Sequence, residues 1–445
     1  MMKKKLLAAC VGLGMMSGSY QALAEDSNPH GFLARSLIGD SLEKHGIQVR
    51  GWMQAGLIAN NNDTDDVSKQ AFFNSDEGFN LNQFALVIEK PVKSNIVSRA
   101  TPTPAPMPEE MDWGFNITTL YGNDAQFFKT YGLDEDFEIN DPADGNEEAF
   151  NIAQAYLEFY MPVLGGSNLM LGLFHTPLEN EIGFALPAPA PTEFYTHPYS
   201  FMHGPAKHFG ALWSAKLPSA PGENILGFEL GVVQGWNNLQ DDNGDLDVIA
   251  NLRWRSPDMA TWVDWENIYG NGAADSYAAC GCGSPFPTTA TEKEDATRYA
   301  TYLTVSQVLD QNNRIAVEMT YGKQEKAALN TVLNGVTDAE WYGANVNWYH
   351  QLSPGASWNS RLEWFNAEDA AHVVMTGAAA GKAPSEWSTG NFYALTTGVS
   401  WFPHPAVRIR PELRYDMQDS DGPAAFANGT EDTQLTASLD LTLYF

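Results

Sequence analysis

Apolar and polar residues alternate with a period of two along much of this chain. The clearest case is the last eleven residues, in which every odd-numbered position from Leu435 to Phe445 is apolar and most even-numbered positions are polar. Because successive side chains of a strand point to opposite faces, this pattern predicts a strand with one apolar and one polar face. Both a strand of a membrane β-barrel and an edge strand of a soluble β-sandwich show this pattern. The rest of the chain has to distinguish these two folds.

Sixteen segments read as strands, most of them about as long as the 9–11 residues that a tilted membrane-spanning strand needs. Residues 168–175 and 246–256 show the weakest pattern among them. The predicted strands are residues 47–58, 80–90, 111–121, 150–161, 168–175, 206–217, 224–235, 246–256, 260–270, 297–309, 313–323, 339–351, 356–366, 389–402, 406–416 and 432–445.

The connections between these segments alternate in length. Long polar connections follow the odd-numbered strands and short ones follow the even-numbered strands, with a Pro-rich exception at residues 91–110. Long external loops and short periplasmic turns are the known asymmetry of outer-membrane barrels, and a soluble sandwich gives no reason for it. The long connections are residues 59–79, 122–149, 176–205, 236–245, 271–296, 324–338, 367–388 and 417–431.

The N-terminal region reads as a secretory signal. Three lysines at residues 3–5 precede an apolar stretch that ends near Met16, and residues 22–24 (Ala-Leu-Ala) supply a cleavage site. We therefore expect a signal peptide at residues 1–24, a periplasmic segment at 25–46 and the barrel at 47–445. The periplasmic segment contains either a short helix that begins at Asn28 or a disordered leader.

No later apolar run reaches the 18 or so residues of a transmembrane helix. A membrane span built from strands has to be a closed barrel, because an open sheet leaves backbone groups unpaired in lipid. The sequence therefore predicts an all-β fold, a transmembrane antiparallel β-barrel of about 16 strands with long external loops and short periplasmic turns.

Composition agrees with this fold. Aromatic residues make up 12% and charged residues 18% of the chain, and the mean hydropathy is -0.30, as for a barrel that faces lipid with alternate residues. Without the three signal lysines, the 25 basic residues fall to 22 against 55 acidic ones, so the net charge moves from -30 to -33. This charge argues against nucleic acid as a partner. We expect the acidic loops, such as the one that contains Asp134, to be solvated and bridged to lipopolysaccharide by divalent ions.

Aromatic residues cluster at the predicted strand ends, where membrane barrels carry girdles at the two interfaces. Some members of this set are simply strand formers of core size. The set comprises Trp52, Trp113, Tyr121, Trp236, Trp254, Tyr269, Trp341, Tyr349, Trp401, Tyr415 and Tyr444.

With these segments placed, the chain resembles the OmpL-like β-barrel porin family of Gram-negative bacteria. The resemblance implies a barrel and a channel and names no substrate. The chain departs from the family in its Pro-rich turn at 91–110 and in the loop that holds Cys280 and Cys282. The matching pieces are residues 51–56 (GWMQAG), 81–83, 89–92, 120–125 (LYGNDA), 154–158, 174–177, 194–199 (FYTHPY), 235–238 and 408–416 (RIRPELRYD).

The polar face of residues 406–416 carries a row of charges. A charged side chain at the lipid midplane costs about 2–4 kcal/mol, so these residues have to face the lumen. Polar positions of residues 356–366 and of the first strand add to the same wall. The resulting set is Arg408, Arg410, Glu412, Arg414, Arg361, Glu363 and Arg50.

The third external loop, residues 176–205, springs from the opposite wall and carries Glu179, Glu181 and Glu193. General porins of this size fold their third loop into the lumen and set acidic groups across from an arginine ladder. The resemblance therefore implies a pore constriction between these glutamates and the arginine wall. The alternative is that the arginines pair with Glu412 and Glu363 as a structural network.

The function that follows is an outer-membrane porin for passive diffusion of small hydrophilic solutes or ions. A plugged structural or adhesive barrel is the alternative, and a barrel hydrolase is less favoured because no nucleophile elbow, Walker loop or His-Glu-x-x-His motif occurs. No catalytic residue, cofactor or metal ligand is assigned. The histidines of the third loop region match no metal motif, which favours loop packing: His175, His197, His203 and His208.

The expected partners follow from the location. They are outer-membrane lipid and lipopolysaccharide, the barrel insertion machinery and small solutes. A homo-oligomer, the natural solute and the net ion selectivity are left open by the sequence.

Overall fold

The computed structural model describes residues 41–62, 77–97, 101–102, 104–134, 148–181, 193–240, 244–271, 297–330, 335–367, 389–427 and 429–445. The predicted signal peptide, the helix start at Asn28 and the cysteines Cys280 and Cys282 lie outside these residues. Before the first strand, the described chain has a short 3₁₀ turn at Glu43–His45. No helix in the described part of the chain is long and apolar enough to cross a membrane.

Sixteen strands of the described chain form one closed antiparallel barrel, and two short strands form a separate pair. The short pair is β3 (Ile96–Val97) and β4 (Thr101–Pro102). The barrel strands are β1 (Gln48–Asn60), β2 (Gly78–Lys90), β5 (Asp112–Gly122), β6 (Ala149–Met161), β7 (Ser167–His175), β8 (Lys207–Lys216), β9 (Ile225–Val233), β10 (Asp247–Arg255), β11 (Thr261–Gly270), β12 (Arg298–Val308), β13 (Asn313–Asn330), β14 (Gly335–Ser353), β15 (Ala356–Asn366), β16 (Asn391–His404), β17 (Val407–Asp419) and β18 (Thr433–Tyr444).

The barrel closes between its first and last strands. β1 pairs with β18 in a register that runs from Trp52↔Tyr444 to Asn60↔Thr436. Beyond the strand end, Gly51 N–H donates to the Phe445 carbonyl at 2.8 Å, and Phe445 N–H donates back at 3.0 Å. Every strand thus pairs on both sides, as a structure in lipid requires. The predicted sixteen-strand barrel is confirmed.

The alternation along the strands separates an apolar outer face from a polar inner face. On β17, Leu413 is 51% exposed on the outside, whereas its neighbour Arg414 is 1% exposed and faces inward. On β18, Leu439 lies outside and Asp440 inside. The predicted orientation of both strands is confirmed.

One expectation about local structure is wrong. Residues 324–330 and 335–338, predicted as loop, belong to strands, because β13 continues to Asn330 and β14 begins at Gly335. Both strands exceed the 9–11 residues that span a membrane, so their hairpin projects beyond it. Its outer face carries Lys323 with Asp338 at 3.2 Å and Glu340 at 3.4 Å, and these polar residues hide the apolar alternation of a membrane strand.

The aromatic residues at the strand ends divide between the two faces, and the sequence had left both roles open for them. Trp113, Tyr269, Trp401 and Tyr415 are exposed on the outside, as a girdle requires. Five others are buried: Trp52, Trp236, Trp341, Tyr349 and Tyr444. An aromatic residue at a strand end faces lipid or the lumen according to whether its position is odd or even in the alternation of that strand. Burial of a large ring is favourable on either face.

A charge on the outer face of β17 should block assembly of the barrel. Leu413→Arg places a guanidinium in lipid at a cost of about 2–4 kcal/mol, so we expect a smaller fraction of the heat-modifiable, folded form on a gel. Leu413→Met, which keeps an apolar side chain of similar volume at the same position, is the matched control. Equal folded fractions for Leu413→Arg and wild type would contradict the assigned orientation.

Candidate functional site

The long connection between β7 and β8 crosses the lumen. The structure describes its residues 176–181 and 193–206, which we call the inserted loop. The connection leaves the barrel at β7, eight strands around the ring from β15. Its residues 194–199 nevertheless contact side chains of β15 and β17, so it reaches the far wall.

Carboxylates of this far wall accept hydrogen bonds from the loop backbone. Glu412 Oε2 accepts from Tyr195 N–H at 2.8 Å. Glu412 Oε1 accepts from Thr196 N–H at 3.2 Å and from its hydroxyl at 2.6 Å. On β15, Glu363 accepts from Tyr199 N–H at 2.9 Å. The wall therefore pairs main-chain donors that a lumen without water would leave unsatisfied.

A third carboxylate, Glu318 on β13, holds both ends of the inserted loop. One oxygen accepts from Asn180 N–H at 2.6 Å and the other from the Ser200 hydroxyl at 2.9 Å. Asn345 of β14 donates to the same carboxylate at 3.0 Å. Glu318 thus joins the outgoing and returning limbs of the loop to the barrel.

Four arginines donate to main-chain carbonyls of the inserted loop, so its acceptors are paired as well as its donors. Three belong to β15 and β17, and the fourth belongs to β10. The bonds are Arg253 to Pro177 at 2.7 Å, Arg361 to Thr196 at 3.1 Å, Arg414 to His197 at 3.2 Å, and Arg410 to Phe194.

The same arginines pair with carboxylates of the wall. These ion pairs are Arg410 with Asp440 at 2.7 Å, Arg414 with Glu363 at 2.7 Å and with Asp416 at 2.8 Å, and Arg361 with Glu363 at 2.8 Å. All the partners are buried, and removing one member of a buried pair costs about 3–5 kcal/mol. The wall is therefore balanced in charge and does not present a row of unpaired arginines.

Two of the predicted loop glutamates also contact this wall. Glu181 lies 3.4 Å from Arg361 and 3.3 Å from His197 Nδ1. Glu193 accepts from the Ser357 hydroxyl of β15 at 3.4 Å. The glutamates therefore touch the arginine wall, whereas the sequence suggested that they face it across a gap.

The remaining predicted residues lie elsewhere. Glu179 is buried, and a Cβ on Gly204 would come within 1.3 Å of its Oε1, so this glycine lets the returning limb pass. Arg408 lies between the rings of Phe402 and Tyr444, 5.9 and 5.8 Å from their centroids.

Arg50 stands apart from both the loop and the arginine wall. It pairs with Glu89 of β2 at 2.7 Å, and both side chains stay partly exposed. The sequence placed Arg50 beside the arginines because β1 closes on β18, but the side chain turns to the opposite neighbour.

Several residues of the site were missed by the sequence analysis. The signal was available, because a charge within a spanning strand has to face the lumen. Arg253 fell in residues 246–256, one of the two weakest predicted strands. The missed residues are Glu229, Arg253, Glu266, Glu318, Asp416 and Asp440.

The inserted loop also touches the near wall. The Tyr195 hydroxyl donates to Asn82 Oδ1 of β2 at 2.9 Å. A Cβ on Gly56 of β1 would come within 2.2 Å of that hydroxyl oxygen, so only glycine fits there. At this level the loop therefore contacts the barrel from β17 to β2, three strands further around the ring.

Histidines of the inserted loop pack as aromatic rings. His197 stacks on Phe201 at 4.5 Å between centroids, and His203 stacks on Phe365 at 4.3 Å. Burial lowers the pKa of His203 to about 3, so this ring is neutral near pH 7. Among the described residues, no group of three or more His, Cys, Asp or Glu side chains is arranged to hold a metal ion.

The external rim contains buried acids as well. Asp134 is buried and accepts from the N–H groups of Thr130 at 2.5 Å and Ile152 at 2.8 Å. Its position in residues 122–149 suggested a solvated acidic loop, but the side chain of Asp134 is buried. Asp124 accepts from Gln83 at 2.7 Å, and burial raises the pKa of this carboxyl.

The family model described as "Putative beta-barrel porin-2, OmpL-like" matches residues 46–445 of the chain. No curated relative matches the sequence. The family match extends from just before β1 to the end of β18.

Solved porin structures share the fold at low sequence identity. The outer membrane channel DcaP of Acinetobacter baumannii has a TM-score of 0.52 at 10% identity, covering 90% of this chain and 98% of that one. An anion-selective porin from Comamonas acidovorans has a TM-score of 0.52 at 8% identity, covering 90% and 99%. Pseudomonas putida OprB has a TM-score of 0.50 at 12% identity, covering 92% and 97%.

Removing Glu412 should loosen the inserted loop. Hydrogen bonds to a charged group contribute about 1.5–3 kcal/mol each, so in Glu412→Ala we expect the amides of Tyr195 and Thr196 to exchange roughly 10- to 100-fold faster. Hydrogen–deuterium exchange of the folded protein measures this. Glu89→Ala is the control, because Glu89 accepts from the strand residues Arg50 and Asn116. Unchanged protection in Glu412→Ala would show that the loop is held by other contacts.

Proposed function

The chain belongs to the putative beta-barrel porin-2, OmpL-like, family, and we propose that it is a narrow porin in which the inserted loop sets the width of the pore. As a porin it provides an outer-membrane channel for passive diffusion of solutes. The single observation that carries the proposal on width is the inserted loop, whose described residues contact inner side chains of β10, β13, β15, β17 and β2 around the ring.

The diffusion path runs along β6 and β7, which lie opposite β15 in the ring. Inner side chains of β17 are buried, whereas those of β6 and β7 include partly exposed ones. Water and small solutes have access where side chains stay exposed. Partly exposed inner residues include Tyr156, Glu158 and Met170 on β6 and β7, and Arg50 and Glu89 on β1 and β2.

The outer face supports the integral, multi-pass location in the outer membrane. Apolar side chains project from the strands on all sides of the barrel, for example Leu57, Leu171, Leu252 and Leu413. Lipid, lipopolysaccharide and the barrel insertion machinery stay predicted partners, and a homo-oligomer stays open.

A plugged barrel is the second candidate, because most inner side chains of the described strands are buried. A hydrolase is disfavoured by membership of a porin family. Single-channel conductance of the purified protein in planar bilayers distinguishes channel from plug. Discrete conductance steps support the porin, and their absence at high protein concentration overturns it.

Charge substitutions should separate selectivity from pore width. Glu158→Gln removes a partly exposed charge from the path, so the reversal potential in a salt gradient should move toward anions. Arg414→Gln removes a buried donor to the loop, so conductance should rise because the loop loosens. Neutralising Glu193, which is partly exposed, should also move selectivity toward anions. If Arg414→Gln changes selectivity more than Glu158→Gln does, the arginine wall and not the opposite wall lines the path.

Selectivity should also depend on ionic strength. Acidic external loops gather cations at the mouth most strongly at low salt, where the Debye length is about 30 Å at 0.01 M. Salt screens these exposed charges more than groups inside the barrel. We therefore expect the preference for cations to fall as salt rises, measured as reversal potentials at a fixed concentration ratio. A bias that stays constant across a wide salt range would exclude the external loops as its source.

A further inference from the structure

The connection between β2 and β5 is far longer than the others at its end of the barrel. It comprises residues 91–111, whereas its counterparts are residues 162–166, 217–224, 256–260, 309–312, 354–355 and 405–406. The short turns mark the periplasmic end of an outer-membrane barrel. A connection between neighbouring strands needs only a few residues, so the additional length is not explained by closing the hairpin.

This connection is attached to side chains that face the lumen. The Tyr160 hydroxyl of β6 donates to the Pro108 carbonyl at 2.9 Å. The Ser94 hydroxyl donates to Asn168 Oδ1 of β7 at 2.7 Å. These two barrel residues have even numbers, whereas the outward-facing Leu157 and Leu171 on the same strands have odd numbers.

Two further contacts extend the attachment. Lys216 Nζ of β8 donates to the Ala105 carbonyl at 3.4 Å. Asn95 Nδ2 donates to the Gly165 carbonyl at 2.7 Å, in the turn between β6 and β7. A Cβ on Gly166 would lie 2.1 Å from Asn95 Oδ1, so glycine is needed for this contact. The connection therefore reaches three strands beyond β5, along the inside of the rim.

The inner side chains of β6 and β7 become buried at the point where the connection lies against them. Tyr156, Glu158 and Met170 are partly exposed on the inner face. Tyr160 and Asn168, which are closer to the periplasmic end of the same strands, are 0% and 4% exposed. The open part of the lumen thus ends where residues 91–111 begin to cover the wall.

We infer that residues 91–97 and 104–111 form a second restriction of the pore, at its periplasmic opening and beside β6 and β7. The inference rests on the proposed function, since it needs a conducting pore. The inserted loop confines solutes to the side of β6 and β7, whose inner faces stay partly exposed, and this connection covers the exit on that side. Solutes that pass the loop then meet the Pro-rich segment before they reach the periplasm.

The test removes the attachments without changing the length of the chain. A tether variant combines Ser94→Ala, Tyr160→Phe and Lys216→Met, and Tyr160→Phe alone serves if the triple variant does not fold. Glu223→Ala is the control, because Glu223 accepts from Ala220 N–H within its own periplasmic turn. Heat-modifiable migration confirms that each protein is folded before single channels are recorded.

The tether variant is recorded alone and in the Glu412→Ala background. We expect higher single-channel conductance than in the parent protein in at least one background, with Glu223→Ala unchanged. We also expect larger polyethylene glycols to enter the pore of the tether variant from the compartment that faces its periplasmic end. Entry from the opposite compartment should not change, because the restriction lies at the periplasmic end.

The outcomes separate the two proposals. Conductance and polymer cut-off that stay at the parent values in both backgrounds overturn the second restriction, while the porin function stands. No conductance by wild type or any variant overturns the proposed function and this inference with it.

Discussion

The arrangement of this barrel depends on the exchange of hydrogen bonds between buried charges and the backbone of one loop. A loop inside a lumen brings main-chain groups that need partners, and a wall of arginines and carboxylates brings charges that need partners. Glu412 accepts two loop N–H groups, and Arg361 donates to a loop carbonyl. Each set therefore supplies the partners that the other requires, which explains how a long connection remains buried inside a barrel.

This exchange changes what the charges do. An arginine that is paired with a carboxylate and a carbonyl contributes little net field to a passing ion, since its charge is compensated at close range. Arg414, with Glu363 and Asp416 beside it, acts as an anchor for the loop. Groups such as Glu158 on β6 remain in contact with water. The proposed function therefore assigns pore width and selectivity to different residues.

The sequence was sufficient for the barrel and insufficient for the site, for a physical reason. Lipid imposes a period of two on every spanning strand, so the alternation around Leu413 predicts both the strand and its orientation. No such rule applies outside the membrane or within the lumen. The ends of β13 and β14 were therefore read as a loop, and the sequence left open whether Trp52 and Trp341 form a girdle or pack inside. The contact of Glu181 with Arg361 depends on the path of a loop, which local pattern does not determine.

The two segments that are attached to inner side chains of the barrel pair their main-chain groups with different residues. The inserted loop keeps most of its N–H groups, so it needs the acceptor Glu412 as well as arginine donors. The periplasmic connection has prolines at 102, 104, 106 and 108, and proline has no N–H to satisfy. Its carbonyls need only donors, and Tyr160 and Lys216 supply them. A Pro-rich segment is therefore suited to line a wall that offers donors but no buried carboxylate at the contact.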